Sequence, residues 1–236
     1  MVQKQAIAII GATGTVGRGI ARVFSKMGWT VIAVARDPER LSALVGECEG
    51  EVIPVAGSVG DDASALALAK AVAGHQPVLD AVITSVNAPP ELAHVMTQPI
   101  EDLVELFRHN VMSHLIAAKA FLPLLAPTGH YIGLGGGMAD VMVERKGGVS
   151  MCQAALRNLF RHIALENAGR GPTVKELMLY SLIVDPADEA NADPRQVRAD
   201  EVGDHIMAIV NQPDIFPGPI LALKSRKQVG QPQRDI

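Results

Sequence analysis

Three glycines that directly follow a short apolar run constrain the fold of this chain more than any other feature. Residues 6–10 are apolar and rich in isoleucine, which is typical of a strand buried on both faces. Gly11, Gly14 and Gly17 come next, and apolar residues then recur at helical spacing before a second apolar run at 30–35. The order strand, glycine turn, helix and strand predicts a βαβ unit with parallel strands.

The glycine spacing indicates a binding site for a dinucleotide. Gly11 permits a sharp exit from the strand, Gly14 lets the backbone approach a pyrophosphate, and Gly17 lets the helix pack closely on the sheet. Free N–H groups in the first helical turn then bind the phosphates. A glycine-rich turn without a ligand is the alternative. The predicted contacts are Gly11, Thr13, Gly14, Thr15, Val16 and Gly17.

The end of the second strand favours NADP(H) over NAD(H). NAD-dependent enzymes usually carry Asp or Glu there, which accepts a hydrogen bond from the ribose 2′-hydroxyl. This chain has Ala35 and Arg36 instead, with Arg40 one helical turn later. A guanidinium suits a 2′-phosphate, whereas Ala35 cannot hold a hydroxyl. In the alternative interpretation, Arg36 is a solvated charge at the strand end.

Composition narrows the class of protein. Of the 236 residues, 48% are apolar and only 19% are charged, so we expect a globular chain with a sizeable core. The net charge of −4, without a long basic run, argues against a nucleic-acid partner. Cys48 and Cys152 are too few for a disulfide framework or a zinc site, so no metal is expected. Because no stretch has the length of a membrane span and the first residues lack a signal-peptide pattern, we expect a cytoplasmic protein.

Strands and helices alternate along the rest of the chain. Predicted strands lie at 51–55, 79–84, 129–134, 174–183 and 219–223, and predicted helices at 38–45, 61–73, 100–125, 149–168 and 200–210. Asp37 and Asp200 are expected to cap two of these helices. The alternation predicts an α/β fold: one Rossmann-type, doubly wound parallel sheet of about seven strands with helices on both faces. This domain spans residues 1–223, and residues 224–236 form a polar C-terminal tail that is frayed or laid on the surface.

Several landmarks resemble the short-chain dehydrogenase/reductase family. They are the glycine turn, Asn110 within "HNVMSHLIAAKAFLPLL", the strand "HYIGLGGG", the helix "SMCQAALRNLFRHIALENAG" and the late "RADEVGDHIMAIV". The resemblance covers residues 6–223. It implies a seven-stranded sheet, nicotinamide chemistry at the carboxyl ends of the strands, and a homodimer or homotetramer formed through the two long helices.

The same resemblance implies an atypical catalytic site. The family has a Ser at the end of the fifth strand and a Tyr and a Lys on the following helix, and these positions align with Gly136, Val149 and Gln153. Of the four catalytic residues of the family, only the Asn is matched, by Asn110. The cofactor-lining NNAG segment is here Thr84 to Asn87, and Ser58 stands where the family has an adenine-contacting Asp. Further expected cofactor contacts are therefore Ser58, Val59, Ser85 and Asn87.

Other polar residues near these positions are expected to be structural. Ser150 is predicted to cap the helix that carries Gln153, and Cys152 is predicted to pack as a small apolar group. His109 and His114 flank Asn110 and are expected to be core or interface residues rather than catalytic ones.

Gly135, Gly136 and Gly137 allow two interpretations. Three successive glycines after a strand can present N–H groups as an anion-binding nest. They can equally form a flexible turn in place of the missing serine.

Three functions are consistent with these features. The first is an NADP(H)-binding oxidoreductase that acts on a small carbonyl or enone through a non-standard active site. The second is a non-catalytic protein that senses NADP(H) and passes the signal to a partner, and the third is a structural subunit with an empty cleft.

Overall fold

Seven parallel strands form the central sheet of the computed structural model, which describes residues 4–88, 92–191, 193 and 196–235. These strands are β1 (Ala6–Ile10), β2 (Thr30–Ala35), β3 (Val52–Ala56), β4 (Leu79–Thr84), β5 (Leu125–Gly136), β6 (Thr173–Leu179) and β9 (Ile220–Leu223), and the two short strands β7 (Ile183–Val184) and β8 (Val197–Arg198) pair separately. The order across the sheet is β3-β2-β1-β4-β5-β6-β9. β1 and β2 are buried along their whole length, as their apolar composition predicts.

Helices cover both faces of this sheet. They are α1 (Thr15–Lys26), α2 (Pro38–Glu47), α3 (Asp62–His75), α4 (Ile100–Phe107), α5 (Ser113–Phe121), α6 (Gly147–Asn167) and α7 (Ala199–Asn211). One apolar core lies between the sheet and α1, α2 and α7, and the other lies between the sheet and α3, α5 and α6. The predicted fold class is confirmed. Within the described residues, no helix combines the length and the apolar character that crossing a membrane requires.

The direction in which the chain winds reverses between β1 and β4. From β1 the chain adds β2 and β3 on one side, and it then crosses to β4 on the other side of β1. In doubly wound sheets a crevice opens at such a switch point, beyond the carboxyl ends of the strands. Gly11 follows β1 and Ser85 follows β4, so the glycine turn lies at this crevice.

The predicted helix at 100–125 is not one continuous α-helix. A π-helical turn, Arg108–Met112, joins α4 to α5, and a short 3-10 turn, Leu122–Leu124, ends the segment. Inside the π-turn, Asn110 Nδ2 donates to the carbonyl oxygen of Leu106 over 2.8 Å. A side chain that bonds to the preceding turn competes with the backbone ladder, which explains the local widening.

Two predicted caps are wrong, whereas Asp37 is confirmed. Asp37 Oδ1 accepts from the N–H groups of Glu39 and Arg40 at the start of α2. Asp200 lies inside α7 and pairs with Arg22 on α1 at 2.7 Å. Ser150 lies inside α6, which already begins at Gly147. In both cases the chain becomes helical before the residue with the stronger capping preference.

The strand predicted at 174–183 is also too long. β6 ends at Leu179, and Ile183 and Val184 pair with β8 instead of continuing the main sheet.

The residues after β9 lie along the outer edge of that strand. Asp235 Oδ1 accepts from the N–H of Ile220 at 2.9 Å, and Gln233 Oε1 accepts from the N–H of Ala222 at 3.1 Å. These contacts satisfy backbone donors that an uncovered edge strand would present to solvent.

Candidate cofactor and active site

The glycine turn is held tightly against the end of β4. Gly11 has a φ of +90°, and a Cβ at this position would lie 2.1 Å from the carbonyl oxygen of Ser85. A Cβ on Gly17 would lie 2.2 Å from the Gly11 oxygen. Around Gly14 the nearest atom to such a Cβ is 3.5 Å away. The first and third glycines are therefore required by protein packing, and the space beside the second is free for a ligand.

The start of α1 has the properties of an anion site. Gly14 is the N-cap residue, no described side chain caps the helix, and the first turn contains no acidic residue. The first N–H groups of a helix have no intrahelical acceptor and carry a partial positive charge. With the open space at Gly14, this arrangement fits the diphosphate of a nicotinamide dinucleotide, held by the first-turn N–H groups at Thr15, Val16 and Gly17.

Two arginines lie near the same turn. Arg40 Nη2 donates to the carbonyl oxygen of Thr13 over 2.7 Å, which fixes this guanidinium over the glycine turn. Arg36 follows β2, is exposed, and has no hydrogen-bond or ion-pair partner within the described residues. Its guanidinium is free to pair with a 2′-phosphate.

Ser58 and Val59 follow β3, which lies beyond β2 on the same side of β1. Ser58 Oγ accepts from the N–H of Gly60 at 3.0 Å, while Val59 is buried. The Ser58 hydroxyl therefore shapes its own loop, which lies beyond the carboxyl end of the third strand. The adenine contact that the family resemblance implies for Ser58 stays a prediction.

One cleft joins the glycine turn to the predicted catalytic positions. Its empty volume is about 580 Å³, and it is open to solvent. Asn110, Val149 and Gln153, which are distant in sequence, share its wall. The lining residues are Val16, Ser85, Val86, Asn87, Asn110, His114, Leu134, Gly135, Val149, Cys152, Gln153, Leu156 and Leu179.

Asn110 and His114 both hold the segment that follows β4. The N–H of Ala88 donates to Asn110 Oδ1 over 3.2 Å, and His114 Nε2 lies 3.0 Å from the carbonyl oxygen of Val86. The two side chains are four residues apart, so they lie on the same face of consecutive turns. They position Val86 and its neighbours along the cleft wall.

The titratable groups of the cleft are neutral. Burial lowers the pKa of His114 to about 4, and burial raises the pKa of the Cys152 thiol to about 11. Cys152 packs with Leu106 and Val111, as predicted. His109, by contrast, is exposed and lies 4.0 Å from Glu105. The sequence offered no signal that separated His114 from His109. His109 lies within the π-turn and His114 lies in α5, and the packing of these two elements decides which ring faces inward.

Side chains from other elements occupy the space beside each of the three glycines at the end of β5. A Cβ on Gly135 would lie 1.8 Å from Glu176 Oε1, and one on Gly136 would lie 2.5 Å from Gln153 Nε2. A Cβ on Gly137 would lie 2.5 Å from the Tyr180 ring. The nest interpretation is wrong because Gly135 and Gly136 are extended and pair with β6. The flexible-turn interpretation fails for the same reason.

Comparisons with known proteins identify the family. A family model described as enoyl-(acyl carrier protein) reductase matches residues 11–214. The chain is 30% identical over 190 residues to a 1,2-dihydroxy-1,2-dihydronaphthalene dehydrogenase of Ralstonia sp.. The matched region covers 74% of this chain and 72% of that protein.

Solved structures agree in fold. A short-chain dehydrogenase/reductase from Serratia marcescens superimposes with a TM-score of 0.82 at 18% identity, covering 94% of this chain and 97% of the other. A metagenomic short-chain oxidoreductase in complex with NADP gives a TM-score of 0.77 at 19% identity, covering 93% and 96%. The chain belongs to the short-chain dehydrogenase/reductase family of oxidoreductases.

Proposed function

We propose that this protein binds NADP(H) and catalyses hydride transfer to or from a small carbonyl compound or enone. The observation that carries the proposal is the continuity of the cleft: Val16, in the first turn of α1, lines the same cavity as Asn110 and Gln153. A dinucleotide whose diphosphate lies at α1 has space to extend into this cavity. When bound, the nicotinamide supplies or accepts the hydride.

The preference for NADP(H) rests on the charges at the end of β2. Arg36 is unpaired within the described residues and Arg40 is fixed over Thr13, whereas Ala35 offers no acceptor for a ribose hydroxyl. The structural neighbour in complex with NADP supports this choice.

We further propose that the active site is non-standard. Val149 and Gln153 line the cleft at the positions where the family has Tyr and Lys, and neither can transfer a proton. Gly136 contributes only backbone at the Ser position. We therefore propose that a water molecule or another group, rather than a tyrosine hydroxyl, handles the proton. Asn110 is the retained member of the set, and its side chain orients the loop after β4.

The apolar walls of the cleft and the names of the related proteins support a proposal for the substrate class. Leu134, Val149, Leu156 and Leu179 make the cleft largely apolar. The matching family model is named for reduction of an enoyl group, and the Ralstonia relative is named for a hydroxylated bicyclic substrate. A compact, uncharged cyclic carbonyl compound or enone fits these features.

A non-catalytic NADP(H) sensor is the second candidate, favoured by Val149 and Gln153 at the catalytic positions. Calorimetry with NADPH and NADP⁺, followed by stopped-flow measurement of NADPH absorbance across a panel of ketones and enones, separates the two. Binding with turnover supports the enzyme, and binding without turnover on any compound supports the sensor. If neither dinucleotide binds, both candidates fail and a structural subunit remains.

We also propose assembly as a homodimer or homotetramer through the long helices. Part of each apolar stripe is buried against the sheet, for example Leu106 and Phe160. Other apolar side chains on α4 and α6 remain exposed, namely Ile100, Val104, Phe107, Met151 and Leu165. Light scattering at several protein concentrations tests this, and a monomer at all concentrations would contradict it.

A further inference from the structure

Two buried polar atoms on the cleft wall have no hydrogen-bond partner among the described residues. They are His114 Nδ1 and Gln153 Oε1, and both residues line the cleft. His114 is 1% exposed, and its ring packs edge-to-face on Phe160 with centroids 6.0 Å apart. Buried polar groups in native proteins are normally satisfied by protein, by water or by a ligand. Unpaired atoms in a cleft wall therefore indicate what the cleft is built to bind.

The hydrogen-bonding role of His114 is fixed by its other nitrogen. Nε2 lies 3.0 Å from the carbonyl oxygen of Val86, and a carbonyl oxygen can only accept. Nε2 therefore carries the proton. In a neutral imidazole the remaining nitrogen is an acceptor, so Nδ1 presents a lone pair. Gln153 Oε1 is likewise an acceptor.

The other polar groups of the wall are satisfied in other ways. Ser85 is half-buried and Asn87 is exposed, so water satisfies their side chains. Asn110 already uses its carboxamide oxygen for Ala88 and its amide nitrogen for Leu106. Cys152 is a neutral thiol, and none of the described lining residues is charged. The two buried atoms that lack a partner are both acceptors, so they favour an uncharged ligand that donates hydrogen bonds.

We propose that His114 is a specificity-determining residue, whose Nδ1, together with Gln153 Oε1, accepts a hydrogen bond from a hydroxyl group of the substrate. This proposal rests on the proposed function and assigns a recognition role within the same cleft. A hydroxyl group reproduces the hydrogen bonds of a displaced water, whereas a carbonyl oxygen would oppose one lone pair with another. The cleft therefore binds the alcohol form of its substrate pair more tightly than the carbonyl form.

Two substitutions distinguish the role of Nδ1 from the role of Nε2 in His114. In His114→Gln the side-chain amide reaches the position of Nε2 and keeps a donor for Val86, but the acceptor at the Nδ1 position is lost. In His114→Asn the shorter amide keeps an acceptor near the Nδ1 position and loses the contact with Val86. A purely structural histidine would be replaced better by Gln, and a hydroxyl-binding histidine would be replaced better by Asn.

The test measures binding in complexes that cannot react. Cyclohexanol is titrated into protein saturated with NADPH, and cyclohexanone into protein saturated with NADP⁺, with calorimetric detection. For wild type we expect the alcohol to bind about tenfold more tightly, the value of one hydrogen bond. His114→Gln should lose this preference and His114→Asn should retain most of it, with thermal unfolding recorded for both.

A second readout does not depend on the cofactor. In free protein with ¹⁵N-labelled histidine, cyclohexanol should shift the His114 Nδ1 resonance, whereas cyclohexanone should not. An equal response to both compounds would overturn the proposal. The proposal would also be overturned if His114→Gln kept the preference for cyclohexanol. A variant that lost only dinucleotide affinity would likewise overturn it, because the hydroxyl that His114 binds would then belong to the cofactor ribose. Failure of NADPH to bind would remove the proposed function, while the resonance shift would still report on the subsite.

Discussion

The carboxamide of Gln153 occupies the space that a side chain at position 136 would need. A Cβ built on Gly136 lies 2.5 Å from Gln153 Nε2 and 2.8 Å from Oε1, closer than real Cβ contacts come. In the alignment that the family resemblance implies, these two positions correspond to a Ser and a Lys. The glutamine lies against the strand, so the residue types at positions 136 and 153 depend on one another sterically.

The first prediction concerns this pair. Gly136→Ser should destabilise the protein by about 1 kcal/mol, because the added side chain displaces the flexible end of Gln153 from its present rotamer. Gln153→Ala in the same chain should recover most of that loss, which denaturant unfolding of both singles and the double variant measures. Gly46→Ser is the control, since nothing lies within 4 Å of a Cβ there. Additive effects at 136 and 153 would show that the two positions are independent.

A second prediction uses two glycines with similar backbone angles. Gly11 and Gly28 have φ values of +90° and +87°, but only Gly11 is crowded, by the Ser85 carbonyl. Gly28→Ala should cost about 1 kcal/mol from backbone strain alone. Gly11→Ala should cost several times more and should also disturb the cofactor turn. Equal losses in thermal unfolding would mean that the contact with Ser85 contributes nothing.

The third prediction tests the cofactor assignment at Arg36. Replacing it with alanine removes the proposed charge-assisted bond to the 2′-phosphate, so NADPH should bind about 10–100-fold more weakly while NADH is unchanged. Lys26→Ala, at the far end of α1, is the matched control for the loss of one positive charge. Equal weakening of both dinucleotides in calorimetry would contradict the assignment.

The fourth prediction concerns the buried carboxyl of Glu176. It is 0% exposed, and both oxygens lack a hydrogen-bond partner in the part of the chain that the structure describes. Burial raises its pKa to about 8 despite Arg157 and Arg161 nearby. Because its pKa is raised in the folded state, the folded protein holds this proton more tightly than the unfolded chain. Stability should therefore fall as pH rises, by about 2 kcal/mol between pH 6.5 and 8.

Denaturant unfolding at several pH values checks this slope. The pH range from 6.5 to 8 lies above the range in which His114 affects stability. Because the folded state lowers the pKa of His114, this residue reduces stability only as the pH falls below about 6.5. Glu176→Gln should flatten the curve and be more stable than wild type at pH 8, whereas Glu166→Gln, at an exposed position, should leave the slope intact. A flat wild-type curve would mean that the carboxyl gains a partner in solution.

Features encoded within a few neighbouring residues could be predicted from the sequence. The glycine turn and the Asp37 cap each depend on local backbone geometry, and the alternation of apolar segments gave the parallel sheet. The positions of Asn110, Val149 and Gln153 on one wall followed from the resemblance. The π-turn was missed because it depends on one side chain, Asn110, competing with the helix backbone.

The sequence by itself therefore determined the fold class and the turn at which a dinucleotide would bind, because strand periodicity, helix capping and glycine geometry are local properties. Only the tertiary structure decided which side chains pack against the strand-end glycines and which of them face the cleft. Gln153 meets Gly136, Glu176 meets Gly135, and His114 rather than His109 faces inward. These contacts join residues on different elements, and their geometry depends on how the sheet and helices pack, which no short stretch of sequence encodes.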